Sequence, residues 1–280
     1  KNNMPAFVSV KDPKSGKTIL GAEDGVNQSY CDLLFYVDAT PGSSIDDPER
    51  PSIPDEGDKE EPKPDEDENV TGTLAFEDIW PSGGDYDMND VIVEYERKVY
   101  FDKKNIVTKI VDEFTPVHDG ATYVNAFAYQ IDAAQIGDKI TLPEGAILEK
   151  ETSSIIVMSN AKQNIGNKYV VTREFNGSFL KNQLLSYNPY IIVKYSQGKR
   201  NRTEVHLPKH KATAYANQSL IGSNDDAYYI DRKGAYPFAI DIPMLGFTPV
   251  TERNRIDSQY PGFATWAKSM GNDCKDWYKK

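Results

Sequence analysis

The chain is poor in the residues that most often carry chemistry near neutral pH. Its 280 residues include three histidines and two cysteines. Three imidazoles leave few ways to assemble a transition-metal site. His206 and His210, four apart in "EVHLPKHK", would face one metal only on a helix, and Pro208 between them with a strand-like lead-in argues for exposed or strand-edge histidines. Cys31 and Cys274 sit near opposite ends; one disulfide and two reduced, buried thiols both fit them.

Positive charge is scarce as well. Lys and Arg total 32 against 43 Asp and Glu, for a net charge of −11. Neutralising a phosphate backbone takes clustered Lys and Arg, so a nucleic-acid partner is excluded. No run approaches the roughly 18 apolar residues of a membrane-spanning helix. Membrane association is expected only through a lipid anchor outside this chain. There is no leader, and a start at Lys1 reads as a processed or trimmed chain. Nucleophile elbow, P-loop and dinucleotide fingerprint are all missing. No catalytic residue is assigned, and the chain is read as a non-enzyme. Five Asn-x-Ser/Thr sequons, at Asn27, Asn69, Asn176, Asn201 and Asn217, would matter only in a eukaryotic secretory pathway.

What is present is strand-forming. There are 17 tyrosines, and "NDVIVEYERKVYF", "KYVVTREF", "YIIVKYS" and "TEVHLP" alternate apolar with polar residues. "PSGGD", "HDG", "PEGA", "NGS" and "SQGKRN" separate these runs with turn residues. Many strands joined by short turns predict a mainly β fold, a β-sandwich or jelly-roll-like domain, over residues 71–280. Only Tyr260 to Tyr278 reads as helix, with Phe263, Trp266 and Ala267 on one face and Gly271 as a stop. Residues 40–70, rich in Pro, Asp and Glu, cannot bury enough surface to offset their ordering entropy and read as an extended linker. Residues 1–39 are too few to fold without help. "AFVSV", "TIL" and "DLLFYVDA" there read as short strands of an upstream domain's tail or of a packing arm.

The densest chemistry lies in "FEDIWPSGGDYDMNDVIVEYE", Phe76 to Glu96. Asp85, Asp87 and Asn89 take the first alternating positions of an EF-hand loop. The sixth position, which needs Gly, is Asp90, and a strand follows instead of a helix, so this is not an EF-hand. Side-chain oxygens on a tight turn still suit a hard cation that takes six to eight of them. Without one, neighbouring carboxylates repel each other. Asp85, Asp87, Asn89 and Asp90 are the expected ligands, with Glu77 or Asp78 closing the site from the preceding strand; the cofactor read from them is a structural calcium ion. The plainer alternative is a turn whose Asp and Asn bond their own backbone. Paired glycosidase carboxylates would stand across a cleft, which one turn does not provide, although Asp225 or Asp226 would supply a second acid. A weak internal repeat, Leu20 to Val37, aligns Asp32 with Asp90 but has lost most of the acidic charge between Glu23 and Asp32.

A second stretch, Ile221 to Pro243, sets Asn224, Asp225 and Asp226 beside Tyr228 and Tyr229. Aromatic rings beside acidic turns can take a glycan, and these five residues are the candidate ligand site. The rival reading is a β-turn with core aromatics.

The order of "FEDIWPSGGDYDMNDVIVEYE", "VNAFAYQID", "EVHLPKHKAT", "YPFAIDIP" and "YPGFATWAKSMGNDCKDWYK" resembles the LruC domain of secreted or outer-membrane bacterial proteins, often lipoproteins. The resemblance covers residues 71–280, and the first segment resembles the end of a companion domain. It implies a cell-surface location, no established activity, and an acidic motif mapping onto Glu77, Asp78, Asp85, Asp87, Asn89 and Asp90, with Met88 where the family usually has Phe. The resulting expectation is a calcium-stabilised surface module for adhesion or for binding a glycan or protein. The alternatives are a polysaccharide-acting enzyme and a subunit of a surface fibre.

Overall fold

The computed structural model describes residues 7–11, 17–22, 33–37, 65–177 and 179–279. The chain divides into two units, Lys1–Lys63 and Pro64–Lys280. In the first, β1 (Phe7–Lys11), β2 (Thr18–Ala22) and β3 (Leu33–Val37) form an antiparallel sheet in that order, at the three runs read as strands. The first copy of the acidic motif, Glu23 to Asp32, and Cys31 with it, lie outside the described residues.

The larger unit is mainly β. Its strands are β4 (Asp65–Phe76), β5 (Val91–Phe101), β6 (Val107–His118), β7 (Ala126–Gln130), β8 (Lys139–Thr141), β9 (Ile147–Glu149), β10 (Ser154–Met158), β11 (Tyr169–Glu174), β12 (Asn188–Val193), β13 (Thr203–His206) and β14 (Ala239–Ile242). They make two antiparallel sheets. One has the order β14-β4-β5-β6-β11-β8, the other β13-β12-β7-β10-β9. Strand β4 begins at Asp65, inside the segment that composition reads as linker. Pairing with β5 overrides the low strand propensity of Asp and Glu there: Asn69 stands opposite Lys98, and its amide donates to Glu96 at 2.7 Å.

The two sheets pack face to face through aromatic rings. Phe127 of β7 meets Phe76 of β4 and Phe114 of β6, at centroid distances of 6.3 and 5.1 Å, and Phe114 also meets Tyr129 at 5.0 Å. Alternation explains this layer: residues i and i+2 of a strand share a face. Both faces of the smaller sheet are covered, so all five residues of β10 are buried and its sequence, "SIIVM", does not alternate. The outer cover includes a polar network. Arg202 donates to both carboxylate oxygens of Glu149, at 2.7 and 2.8 Å, and to Glu204 at 2.7 Å. His206 lies between Asn188 Oδ1 and Glu204 Oε2, at 2.7 and 3.0 Å, and stacks on Tyr190. The expected strand-edge position of His206 holds, but it is fully buried.

The closing segment is less helical than its sequence suggests. Only α1 (Ile256–Gln259) and α2 (Phe263–Lys268) form, and α2 ends before Gly271, whose φ is +85°. Instead, Phe247 stacks on Tyr260, and Trp277 packs edge-on against Tyr260 and Phe263, so ring packing holds this segment more than helix hydrogen bonds do. It is tied to the larger sheet: Thr73 donates to the Met244 carbonyl at 2.6 Å, and Glu94 accepts from Gly246 N at 2.6 Å.

Candidate metal centre

The acidic turn connects β4 to β5 at the end of the larger sheet. Tyr86 and Met88 have φ of +54° and +55°, the left-handed region that non-glycine residues seldom adopt. Both side chains are buried, Met88 completely, and Tyr86 packs edge-on against Tyr236 at 5.5 Å. Burial of these alternate residues offsets the backbone cost. Asp85 and Asp87, on either side of Tyr86, gather with Glu77. Oxygens of Glu77, Asp85 and Asp87 lie within 4.8 Å of one another.

Glu77 is fully buried. Its Oε1 accepts from Met88 N at 2.6 Å, while Oε2 has no hydrogen-bond partner. Gly84 leaves the space in front of it: a Cβ there would stand 2.8 Å from Oε2. An unpartnered buried carboxylate oxygen costs on the order of a few kcal/mol. Burial pushes Glu77 well above the usual carboxylate range, and the charges of Asp90, Asp87 and Asp85 push the same way. Burial, then Asp85, raises Asp87 to about 6. Burial, then Asp78, raises Asp90 to about 7. All three shifts have the sign that a neighbouring cation would reverse. The donor set is oxygen alone, which suits a hard ion.

The other expected ligands brace the turn. Asp90 Oδ2 accepts from Asp78 N at 2.7 Å, which straps the two ends together. Asp78 accepts from the Asn125 amide at 2.7 Å; of the two residues proposed to close the site, Glu77 joins the three-carboxylate cluster and Asp78 does not. Asn89 donates to the Val250 carbonyl at 3.0 Å, and its Oδ1 is buried without a partner beside Gly120. Asp87 accepts from Arg253 N at 3.1 Å. Sequence reasoning missed Asn125, Val250 and Arg253. Asn125 stands within a conspicuous motif, but two of these contacts use main-chain atoms, which leave no trace in residue identity.

The second stretch is a brace rather than a platform. Asp226 is fully buried and accepts from Trp80 Nε1 at 2.8 Å and from the amides of Gly222, Tyr228 and Tyr229. Tyr229 is buried against Trp80, with centroids 4.8 Å apart. Asp225 accepts from Gly83 N at 2.8 Å and pairs with Lys233. Asn224 and Tyr228 are exposed, so the five residues do not share one surface, and the rings that were to stack on a sugar are partly spent on the core. What the stretch does is hold the glycine turn from Pro81 to Gly84: Asp225 N also donates to the Pro81 carbonyl at 3.1 Å.

Residues 105–278 match the family model described as "Domain of unknown function (DUF4842)". The chain belongs to the DUF4842 family. The matched span begins after β5, so it takes in the clasping residues 125, 250 and 253 but not the acidic turn itself. A crystal structure described as that of a "Putative lipoprotein from Bacteroides ovatus", at 2.08 Å, is similar to the DUF4842 chain at 19% identity and a TM-score of 0.57. The match covers 76% of this chain and 74% of that one, and at this identity it speaks for the fold. A search of curated proteins found no match.

Proposed function

We propose that this DUF4842 chain is a non-catalytic module of the bacterial cell envelope. Its acidic turn holds a calcium ion, and its role is adhesion or the binding of a surface glycan or protein. One observation carries the calcium reading: the buried, unpartnered Oε2 of Glu77, in a cluster where oxygens of Asp85 and Asp87 lie within 4.8 Å. Calcium takes oxygen ligands in a loose geometry of six to eight, which this turn can meet with carboxylates, main-chain carbonyls and water; magnesium demands a stricter octahedron. The bound ion would offset the mutual repulsion of the acids and fix the turn that sets the start of β5. The envelope reading rests on the LruC-like motif order and on the relative described as a lipoprotein.

Calorimetric titration of calcium into EGTA-stripped protein, paired with thermal melts, tests this. At a hundredfold excess over the dissociation constant, binding adds about 2.7 kcal/mol. For a domain of this size that raises the melting temperature by roughly 5–10 °C. No binding heat together with an unchanged melt would sink the calcium reading.

A further inference from the structure

A second site lies between the sheets, away from the acidic turn. A cleft of about 350 Å3 opens where β4, β5 and β14 part from the segments around β12 and β13. That is within the size range of small-ligand pockets. Its base is apolar, with Leu74, Phe114 and Leu207, and its polar groups come from both sheets.

Arg97 lines one end. Its guanidinium lies 3.6 Å from the centroid of the Tyr187 ring, and its Nε and Nη2 are buried without a hydrogen-bond partner. The nearest carboxylate, Asp112, is 3.9 Å from Nε and is otherwise engaged. It accepts from Arg173 at 3.2 Å, from Tyr129 at 3.3 Å and from the Tyr187 hydroxyl. Two guanidiniums thus share one carboxylate in this wall, which leaves a net positive charge. Burying such a charge unbalanced is costly, so the wall is complementary to an incoming anion. A guanidinium fork matches a carboxylate.

The other end is acidic. Tyr95 crosses β4 over Gly72, where a Cβ would come within 2.6 Å of its hydroxyl, and donates to Asp241 on β14 at 3.0 Å. Asp241 retains acceptor capacity, and His210 lines the cleft with it. Register sets the separation of the two ends. Arg97 pairs with Val70 and Asp241 with Leu74, four residues further along β4 and on its opposite side. With about 3.4 Å per residue and about 4.8 Å per strand, the Cα atoms stand roughly 17 Å apart. Side chains shorten that gap, since Tyr95 on the same face of β5 as Arg97 reaches Asp241, and a short chain of linked rings can touch both ends of the cleft.

We propose that this cleft binds a short acidic oligosaccharide, with a uronic-acid carboxylate on Arg97 and sugar hydroxyls donating to Asp241. It gives the glycan-binding reading above a place and a chemistry, and rests on that reading but not on calcium, since none of its residues belongs to the acidic turn. Titration of the full chain with an aldotriouronic acid, which carries one terminal uronic acid on two neutral xyloses, and with neutral xylotriose as control, tests it, in calcium and in EGTA, with circular dichroism confirming the fold in each. The aldotriouronic acid is expected to bind at least about tenfold tighter than xylotriose, and both Arg97→Met and Asp241→Asn to weaken it about tenfold, the scale of a charge-assisted hydrogen bond. Glu77→Gln is expected to leave the affinity unchanged. If Arg97→Met fails to fold, Arg97→Lys, which keeps the charge but loses the fork, is expected to weaken binding in the same direction. Absence of aldotriouronic-acid binding to folded protein, equal binding of both sugars, or unchanged affinity in the folded Arg97 and Asp241 variants would overturn the proposal. Loss of binding in EGTA with the fold intact would overturn its independence from the ion and move the glycan to the acidic turn.

Discussion

At the scale of single residues, the acidic turn turns electrostatics into testable behaviour. Asp87 and Asp90 have folded-state pKa values raised to about 6 and about 7, with burial the first cause in each. Their unfolded values lie near 3.9. The metal-free folded state therefore holds protons that the unfolded state has released, and the associated stability is fully present below about pH 4 and lost as pH rises through 6 to 7. Metal-free protein is expected to melt at a lower temperature at pH 8 than at pH 5. Saturating calcium, which replaces the protons, should remove that difference; a metal-free melt that rises with pH would contradict the shifts. Gly84 offers a second check, because a methyl there would meet Glu77 Oε2 at 2.8 Å and Ile79 at 3.0 Å. Gly84→Ala is expected to weaken calcium binding about tenfold, in the range of changes that disturb ligand placement, as read by titration.

At the scale of elements, the brace formed by residues 222–233 is as consequential as the turn it supports. Asp226→Ala would strand the Trp80 indole N–H and the Tyr229 amide in a buried site and remove the acceptor of two part-buried amides, those of Gly222 and Tyr228. A loss of about 3 kcal/mol or more is expected, since buried donors without acceptors cost about 1–3 kcal/mol each, and a melt should show it as a fall of roughly 6–12 °C. Strands were the most legible part of the sequence. The alternation of "VIVEYERKVYF" announces β5, and turn residues mark most of the other boundaries. Two departures have physical causes. The acidic residues 65–70 join β4 because β5 supplies a partner, which composition cannot reveal. The closing segment carries a helical pattern, but its aromatic rings pack against each other and leave only α1 and α2. In the site, Glu77, Asp85 and Asp87 were readable from local spacing. The clasp by residues 125, 250 and 253 was not, because it joins positions far apart in the chain. The cleft at Arg97 was hidden because strand residues there read as ordinary core-facing positions.

At the scale of the whole molecule, the two units can be tested separately. A fragment starting at Pro64 contains both large sheets, the turn and the closing segment. It is expected to unfold in one cooperative transition, within about 2 °C of the full chain, as a single domain does. A broad or early transition would show that residues 1–63 are needed for the larger unit's stability.

The clasp on the turn also bears on the order of events in folding. Asn89 reaches the Val250 carbonyl, 161 residues on, and Asp87 takes the amide of Arg253, 166 residues on. Contacts of such separation form late, after much of the loop entropy has been spent. The acidic loop stays unclasped until the segment around Val250 and Arg253 has been made. Tight ion binding would then report a closed clasp: a copy cut short of Val250 would hold calcium weakly, and the ion would lock the fold only once residues 87–89 and 250–253 had met.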